Sequence, residues 1–160
     1  MAEKIREVEP PRGLARLGWR APIWLYRLGL GGVLGGRLVL ISHIGRKSGQ
    51  LRQAVVEVVY HDPETGAYVV VSGFGEKSDW YQNVMAHPDI TIQVGGRRLQ
   101  VHAERLTLPR AQDVLLDYGR RHPATLRTLV RFLGYRIDGT EADVRYVAGL
   151  VPMVAFTPVN

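Results

Sequence analysis

Between His43 and Arg52 the chain reads HIGRKSGQLR, with three cations and a hydroxyl set around Gly45 and Gly49. Glycines let a backbone turn tightly and present its N–H groups outward. Arg46, Lys47 and Arg52 add charged donors of the kind that grip phosphate or carboxylate oxygens, and Ser48 adds a hydroxyl. The chemistry that suits this group is anion binding. A triphosphate-binding loop is excluded by spacing, because Lys47 and Ser48 precede Gly49 instead of following a glycine-led loop. A solvated basic hairpin would have the same composition, so the nature of the anion has to come from elsewhere.

A second group lies in VSGFGEKSDWYQNVMAHP, Val71 to Pro88. A strand end releases into loop residues Ser72, Gly73 and Phe74, and a helix start then carries Asp79, Trp80, Tyr81 and Asn83. Free N–H groups at a helix start favour an anion or a ring carbonyl. Trp80 and Tyr81 offer flat apolar faces with polar tips; taken alone, Trp80 reads as a core anchor before it reads as a ligand contact. No nucleophilic grouping accompanies these residues. Cysteine is absent, Ser42-His43 is only a strand pair, and no catalytic nucleophile is assigned. His43, His61, His87, His102 and His122 have no ligand-like spacing, so no metal is expected.

The elements that must position these groups are short strands joined by turns. RLVLISHI and RQAVVEVVYH, on either side of the basic turn, are rich in branched apolar residues and read as strands. DPETG is a turn signal and AYVVVSG the next strand. DWYQNVMAHP predicts a short helix capped by Asp79, with Gln82 as capping-box partner and Pro88 as the stop. ITIQV, Gly95-Gly96 and RRLQVHAERL form a hairpin. Two helices follow, starting near Pro109 and just after Pro123, then a third opened by Thr140 with Asp143. PMVAFTP closes the chain as a strand. Pro22 to about Leu30 reads as an N-terminal helix, and residues 1–13 as a loose polar arm before a single domain over 14–160. Six strands, mostly joined by hairpins, predict an α+β chain built on a six-stranded antiparallel split β-barrel. The N-terminal helix and a helical insert before the last strand complete it. Strand–helix alternation of the doubly wound kind is missing.

Charge supports the anion reading. The net charge is +6, yet residues 1–60 carry ten Lys/Arg against four Asp/Glu, and Pro10 to Val56 holds eight basic residues and no acid. Such a field attracts cofactor phosphates, anionic lipid or nucleic acid. The absence of cysteine permits a reducing cytoplasm, and the charged opening MAEKIREVEPPRG does not read as a secretory signal. APIWLYRLGLGGVLGGRLVLI is interrupted by Arg27 and Arg37 and is a poor membrane span. The segment reads first as a helix packed on its own domain. Trp19, Trp24 and Tyr26 among arginines also suit residues 14–36 to cover a pocket mouth or lie on a membrane surface, so a cytoplasmic protein is expected, with peripheral membrane contact as the alternative.

GRKSGQLR, followed by SDWYQNVMAHP and a β-hairpin, resembles the deazaflavin-dependent nitroreductase family, over about Trp24 to Pro158. The resemblance implies the split barrel shared with flavin-binding pyridoxamine-phosphate-oxidase-like proteins. It also implies coenzyme F-420 as cofactor and hydride transfer to a small planar acceptor such as a quinone or nitroaromatic. By the same resemblance Arg46, Lys47, Ser48 and Arg52 hold the anionic phosphate and oligoglutamate tail. Gln53, Ala54, Val55 and Val56 run alongside the cofactor, and Ser72, Gly73, Phe74, Asp79, Trp80, Tyr81 and Asn83 border the deazaflavin ring. Tyr118 and Tyr135, in the helical insert, are the candidates for closing the acceptor pocket. A homodimer is an assembly common to this fold.

Rival readings keep the barrel and change the ligand. FMN would satisfy the fold, but an acid-free basic cluster suits a multiply charged tail better than one phosphate. A non-catalytic carrier of lipid, haem or pigment would use the same covered barrel mouth. A nucleic-acid partner is not expected, since the exposed aromatic–basic strand pattern of single-strand platforms is missing.

Overall fold

The computed structural model describes residues 3–4, 38–73, 75–132 and 134–159, with the backbone alone described at 3, 4, 129 and 132. The N-terminal helix expected at Pro22 to Leu30, the surface segment 14–36, most of the arm and Phe74 lie outside the described residues.

Six strands close into an antiparallel barrel. They are β2 (Leu38–Ile44), β3 (Leu51–His61), β4 (Tyr68–Val71), β5 (Asp89–Val94), β6 (Arg97–Arg105) and β8 (Met153–Pro158), in the order β2-β3-β4-β8-β6-β5. Period-two alternation sorts the side chains. Val39 and Ile41, Tyr68 and Val70, Ile90, Ile92 and Val94, Val101 and Ala103, and Val154 and Phe156 fill the interior. The opposite parity on the far side, Val69 and Met153, faces a second core outside the barrel. Closure also removes the unpaired strand edges that an open sheet would expose.

Helix α1 (Asp79–Ala86) plugs one end of the barrel, with Tyr81 and Val84 buried in the interior cluster and Trp80 and Met85 packed against it. Helices α2 (Leu108–Arg121), α3 (Pro123–Phe132) and α4 (Glu141–Ala148) build the outer core. Ala111, Val114, Leu115 and Tyr118 recur along one face of α2, the spacing that makes a helix amphipathic. The α4 start is the one read from the sequence: Thr140 is the N-cap and its hydroxyl accepts the Asp143 N–H at 3.2 Å.

Three local features were not read from the sequence. The cap of α1 is Ser78, with Asp79 in the first turn and no side-chain cap bond; the Gln82 amide instead donates to the Glu76 carbonyl at 2.8 Å. A two-residue strand β1 (Glu3–Lys4), inside the stretch expected to be a loose arm, pairs with β7 (Tyr135–Arg136). Tyr135, within the insert, therefore lies in a strand. Finally, β3 carries a bulge between Val58 and Tyr60, which turns Val59 and Tyr60 toward the outer core. The Arg121 guanidinium donates to the Val59 carbonyl at this irregularity, at 3.3 Å.

No helix among the described residues is long and apolar enough to cross a membrane.

Candidate functional site

The basic turn links β2 to β3, and its shape is set locally. Gly49, at φ +71°, donates its N–H to the Gly45 carbonyl at 2.8 Å, and the Gly45 N–H donates to the Gln50 carbonyl at 2.8 Å. A β-carbon on Gly45 would meet the Ser48 hydroxyl at 2.5 Å, so a side chain there would have to displace that hydroxyl. That hydroxyl accepts the Gln50 N–H at 3.2 Å. Lys47 and Ser48 stand exposed at the tip, as do Leu51 and Arg52 at the start of β3.

Barrel closure brings this turn against α1. The Asn83 side-chain oxygen accepts the Arg46 backbone N–H at 3.0 Å and the Arg46 guanidinium at 2.8 Å. The same guanidinium makes longer contacts, 3.4 Å, to the exposed Asp79 carboxylate. The two groups read separately from the sequence thus meet in space. Asn83 is buried, and its amide nitrogen lies 3.1 Å from Nδ1 of His43. His43 pairs in register with Arg52 across β2 and β3.

The remaining expected residues flank this centre. Gln53 to Val56 are half-buried along β3, and Gln53 donates to the Ser42 hydroxyl at 3.4 Å. Ser72 is fully buried; its hydroxyl donates to the Gly75 carbonyl at 2.7 Å, which pins the loop that carries Gly73. Trp80 is half-buried, its ring 6.2 Å from Tyr81 and 6.5 Å from Phe156. Tyr118 and Tyr135 belong to the outer core, and the Tyr118 hydroxyl donates to the Glu57 carboxylate at 3.1 Å.

Two participants were not singled out from the sequence. Arg105, at the end of β6, donates to the Glu76 carboxylate at 2.7 Å and to the Tyr81 hydroxyl at 3.1 Å, fastening α1 and the loop before it. His43 read as an ordinary strand residue, and only its alternation with Val39 and Ile41 signalled an inward position.

Burial, reinforced by the positive charge of Arg52 and opposed by Asp79, holds the His43 pKa down to about 4 from 6.5. The unfolded chain therefore binds a proton at this position in the window from about 6.5 down to about 4, where the folded chain does not. Stability is fully present above that window and falls as pH falls through it. Urea unfolding at pH 4.5 and pH 7.5 should show a loss of about 2–3 kcal/mol assignable to this group. His43→Gln, which cannot titrate, should lose less over the same interval; an unchanged pH dependence would mean that His43 is not the group responsible.

The donors suit an anionic ligand: three cations converge near one turn, one acidic side chain is close, and the neighbouring histidine is neutral. Trp80 and Tyr81 stand in the same helix turn as Asp79. Among the described residues there is no cluster of side chains able to hold a metal.

Comparison with known proteins bears on family and fold. Residues 21–128 match the model of the F-420H(2)-dependent quinone reductase family. The protein Rv3178 of Mycobacterium tuberculosis, which carries the name of an F-420H(2)-dependent quinone reductase, is 35% identical over 89 residues, covering 50% of this chain and 73% of that protein. Among solved structures, the conserved hypothetical protein Rv2991 of Mycobacterium tuberculosis superposes with a TM-score of 0.55 at 14% identity, over 84% of this chain and 80% of its own. A protein solved as a domain-swapped dimer gives 0.53 at 22% identity, over 88% and 98%. These two likenesses are of fold, the split barrel. This chain belongs to the F-420H(2)-dependent quinone reductase family, oxidoreductases whose cofactor is the deazaflavin coenzyme F-420.

Proposed function

We propose that this chain delivers hydride from reduced F-420 to a small planar acceptor of the quinone type, with the anionic tail of the cofactor on the basic turn. The observation that carries this reading is the meeting of Arg46 with Asn83 and Asp79, which joins the cationic turn to the aromatic helix start.

Bound F-420 supplies the hydride, so the chain itself has to bind, orient and exclude water. In this reading Arg46, Lys47 and Arg52 neutralise phosphate and carboxylates while the exposed Ser48 hydroxyl adds a donor. The first half of β3, Gln53 to Val56, lies along the cofactor. Ser72 and Gly73 with Trp80 and Tyr81 border the ring, and the fastening of Tyr81 by Arg105 keeps that wall in place. Asp79 and Asn83 act on the tail side, through Arg46, and not as ring contacts. A nitroaromatic fits the same flat wall as a quinone. A homodimer is the assembly in keeping with the dimeric relative of like fold.

Titration of the protein with F-420 and with FMN tests the cofactor assignment, and F-420 is expected to bind the tighter by at least tenfold. Oxidation of reduced F-420 is then followed against a panel of quinones and nitroaromatics. Turnover with quinones supports the reading. Tight FMN binding without a response to F-420 would replace the cofactor, and binding without turnover of any acceptor would make the protein a carrier.

A further inference from the structure

We propose that His43 is a positioning residue for the basic turn: by accepting the Asn83 amide N–H it fixes the direction of that amide, and through it the aim of Arg46. The inference rests on the reading that Arg46 holds the anionic tail.

The hydrogen-bond chemistry leaves one arrangement. The Arg46 backbone N–H and its guanidinium can only donate, and both reach the same side-chain atom of Asn83, at 3.0 and 2.8 Å. That atom must be the oxygen. The amide nitrogen therefore faces His43 Nδ1 at 3.1 Å, and Nδ1 must be the bare, accepting nitrogen. The proton of the neutral ring sits on Nε2. Turning the amide over would set its N–H donors against the donors of Arg46 and bring its oxygen to Nδ1, which could bond it only if the ring proton moved from Nε2 to Nδ1.

The consequence falls on Arg46. A long exposed side chain samples many rotamers, and ordering it on binding costs affinity. Here the Asn83 oxygen ties one guanidinium nitrogen and the residue's own backbone to a single point, folding the side chain back over the turn. The contacts to Asp79 are long, and that carboxylate is 85% exposed, so an incoming phosphate or carboxylate can take its place. His43, buried behind Asn83 and only 4% exposed, is the rigid end of this chain of contacts.

The test compares intact F-420 with a truncated deazaflavin that lacks phosphate and glutamates, on wild type, His43→Leu, His43→Gln and Arg46→Ala. His43→Leu keeps bulk but offers no acceptor, leaving a buried amide N–H unpaired. It should weaken intact F-420 by roughly tenfold while changing the truncated ligand less than twofold. His43→Gln, whose side-chain oxygen can accept the same bond, should recover most of the loss. Introduced into Arg46→Ala, His43→Leu should cause no further loss of tail-dependent affinity, because the two act through one contact. Should the leucine variant fail to fold, His43→Ala carries the same expectation. Equal weakening of both ligands, or no weakening of either, overturns the proposal. If Arg46→Ala itself leaves intact F-420 binding unchanged, the tail assignment fails; if Arg46→Ala weakens it and His43→Leu does not, only the role of His43 fails.

Discussion

Replacing Arg46 and Lys47 together by alanine should weaken F-420 binding by on the order of a hundredfold. Each charge-assisted hydrogen bond to phosphate or carboxylate contributes about 1.5–3 kcal/mol. Partial exposure of both cations and screening by salt reduce that, so about 3 kcal/mol for the pair is expected. The loss should come without a comparable loss of fold. Lys47 lies exposed at the tip, and Arg46→Ala retains the backbone N–H that satisfies the Asn83 oxygen. Thermal melting should therefore move by only a degree or two, within the small range typical of surface changes. Wild-type affinity should fall as ionic strength rises, and the double variant should show a shallower dependence. Truncated deazaflavin should bind both proteins about equally. A double variant that binds intact F-420 as wild type does, with the same salt slope, would leave the turn as a solvated hairpin.

Phe156→Ala should be the costliest single truncation for stability. Phe156 is fully buried at the barrel centre, pairs with Tyr68 on β4 and Ala103 on β6, and lies beneath the Trp80 ring. Removing a buried phenyl group loses its transfer free energy and leaves a cavity, together about 3–5 kcal/mol. For a chain of this size that lowers the melting midpoint by roughly 6–20 °C. Trp80→Ala should cost less stability, because Trp80 is only half-buried, and more cofactor affinity, because its ring is part of the proposed wall. Urea unfolding and F-420 titration on the same samples separate the two. A Phe156→Ala loss below about 1 kcal/mol would mean that the barrel interior collapses around the gap. It would also mean that Trp80 does not depend on Phe156 for support.

Much of the architecture was legible in the sequence because it is governed by local patterns. Runs rich in apolar residues mark the barrel strands, glycine marks the hairpin turns with Asp62-Pro63 beside it in one of them, and Thr140 with Asp143 marks the start of α4. The two groups proposed to hold the cofactor were also read from composition, as a run of cations between glycines and an aromatic helix start.

What stayed hidden depends on contacts between distant parts of the chain. The cap of α1 falls on Ser78, while the Asp79 carboxylate lies beside Arg46, a residue 33 positions earlier. The meeting of Arg46 with Asn83 spans 37 positions, and that of His43 with Asn83 spans 40. No local propensity encodes such distances. They follow from closure of the barrel and from strand register, since a one-residue slip of β2 would turn His43 outward and leave the Asn83 amide without its acceptor. The bulge in β3 is of the same kind, because whether Val59 and Tyr60 face the interior or α2 is decided by the strands and helices packed on either side. Sequence alone thus determined which residues could bind an anion and a flat ring. The tertiary structure decided which of them meet, because the hydrogen bonds that join them exist only once the barrel has closed.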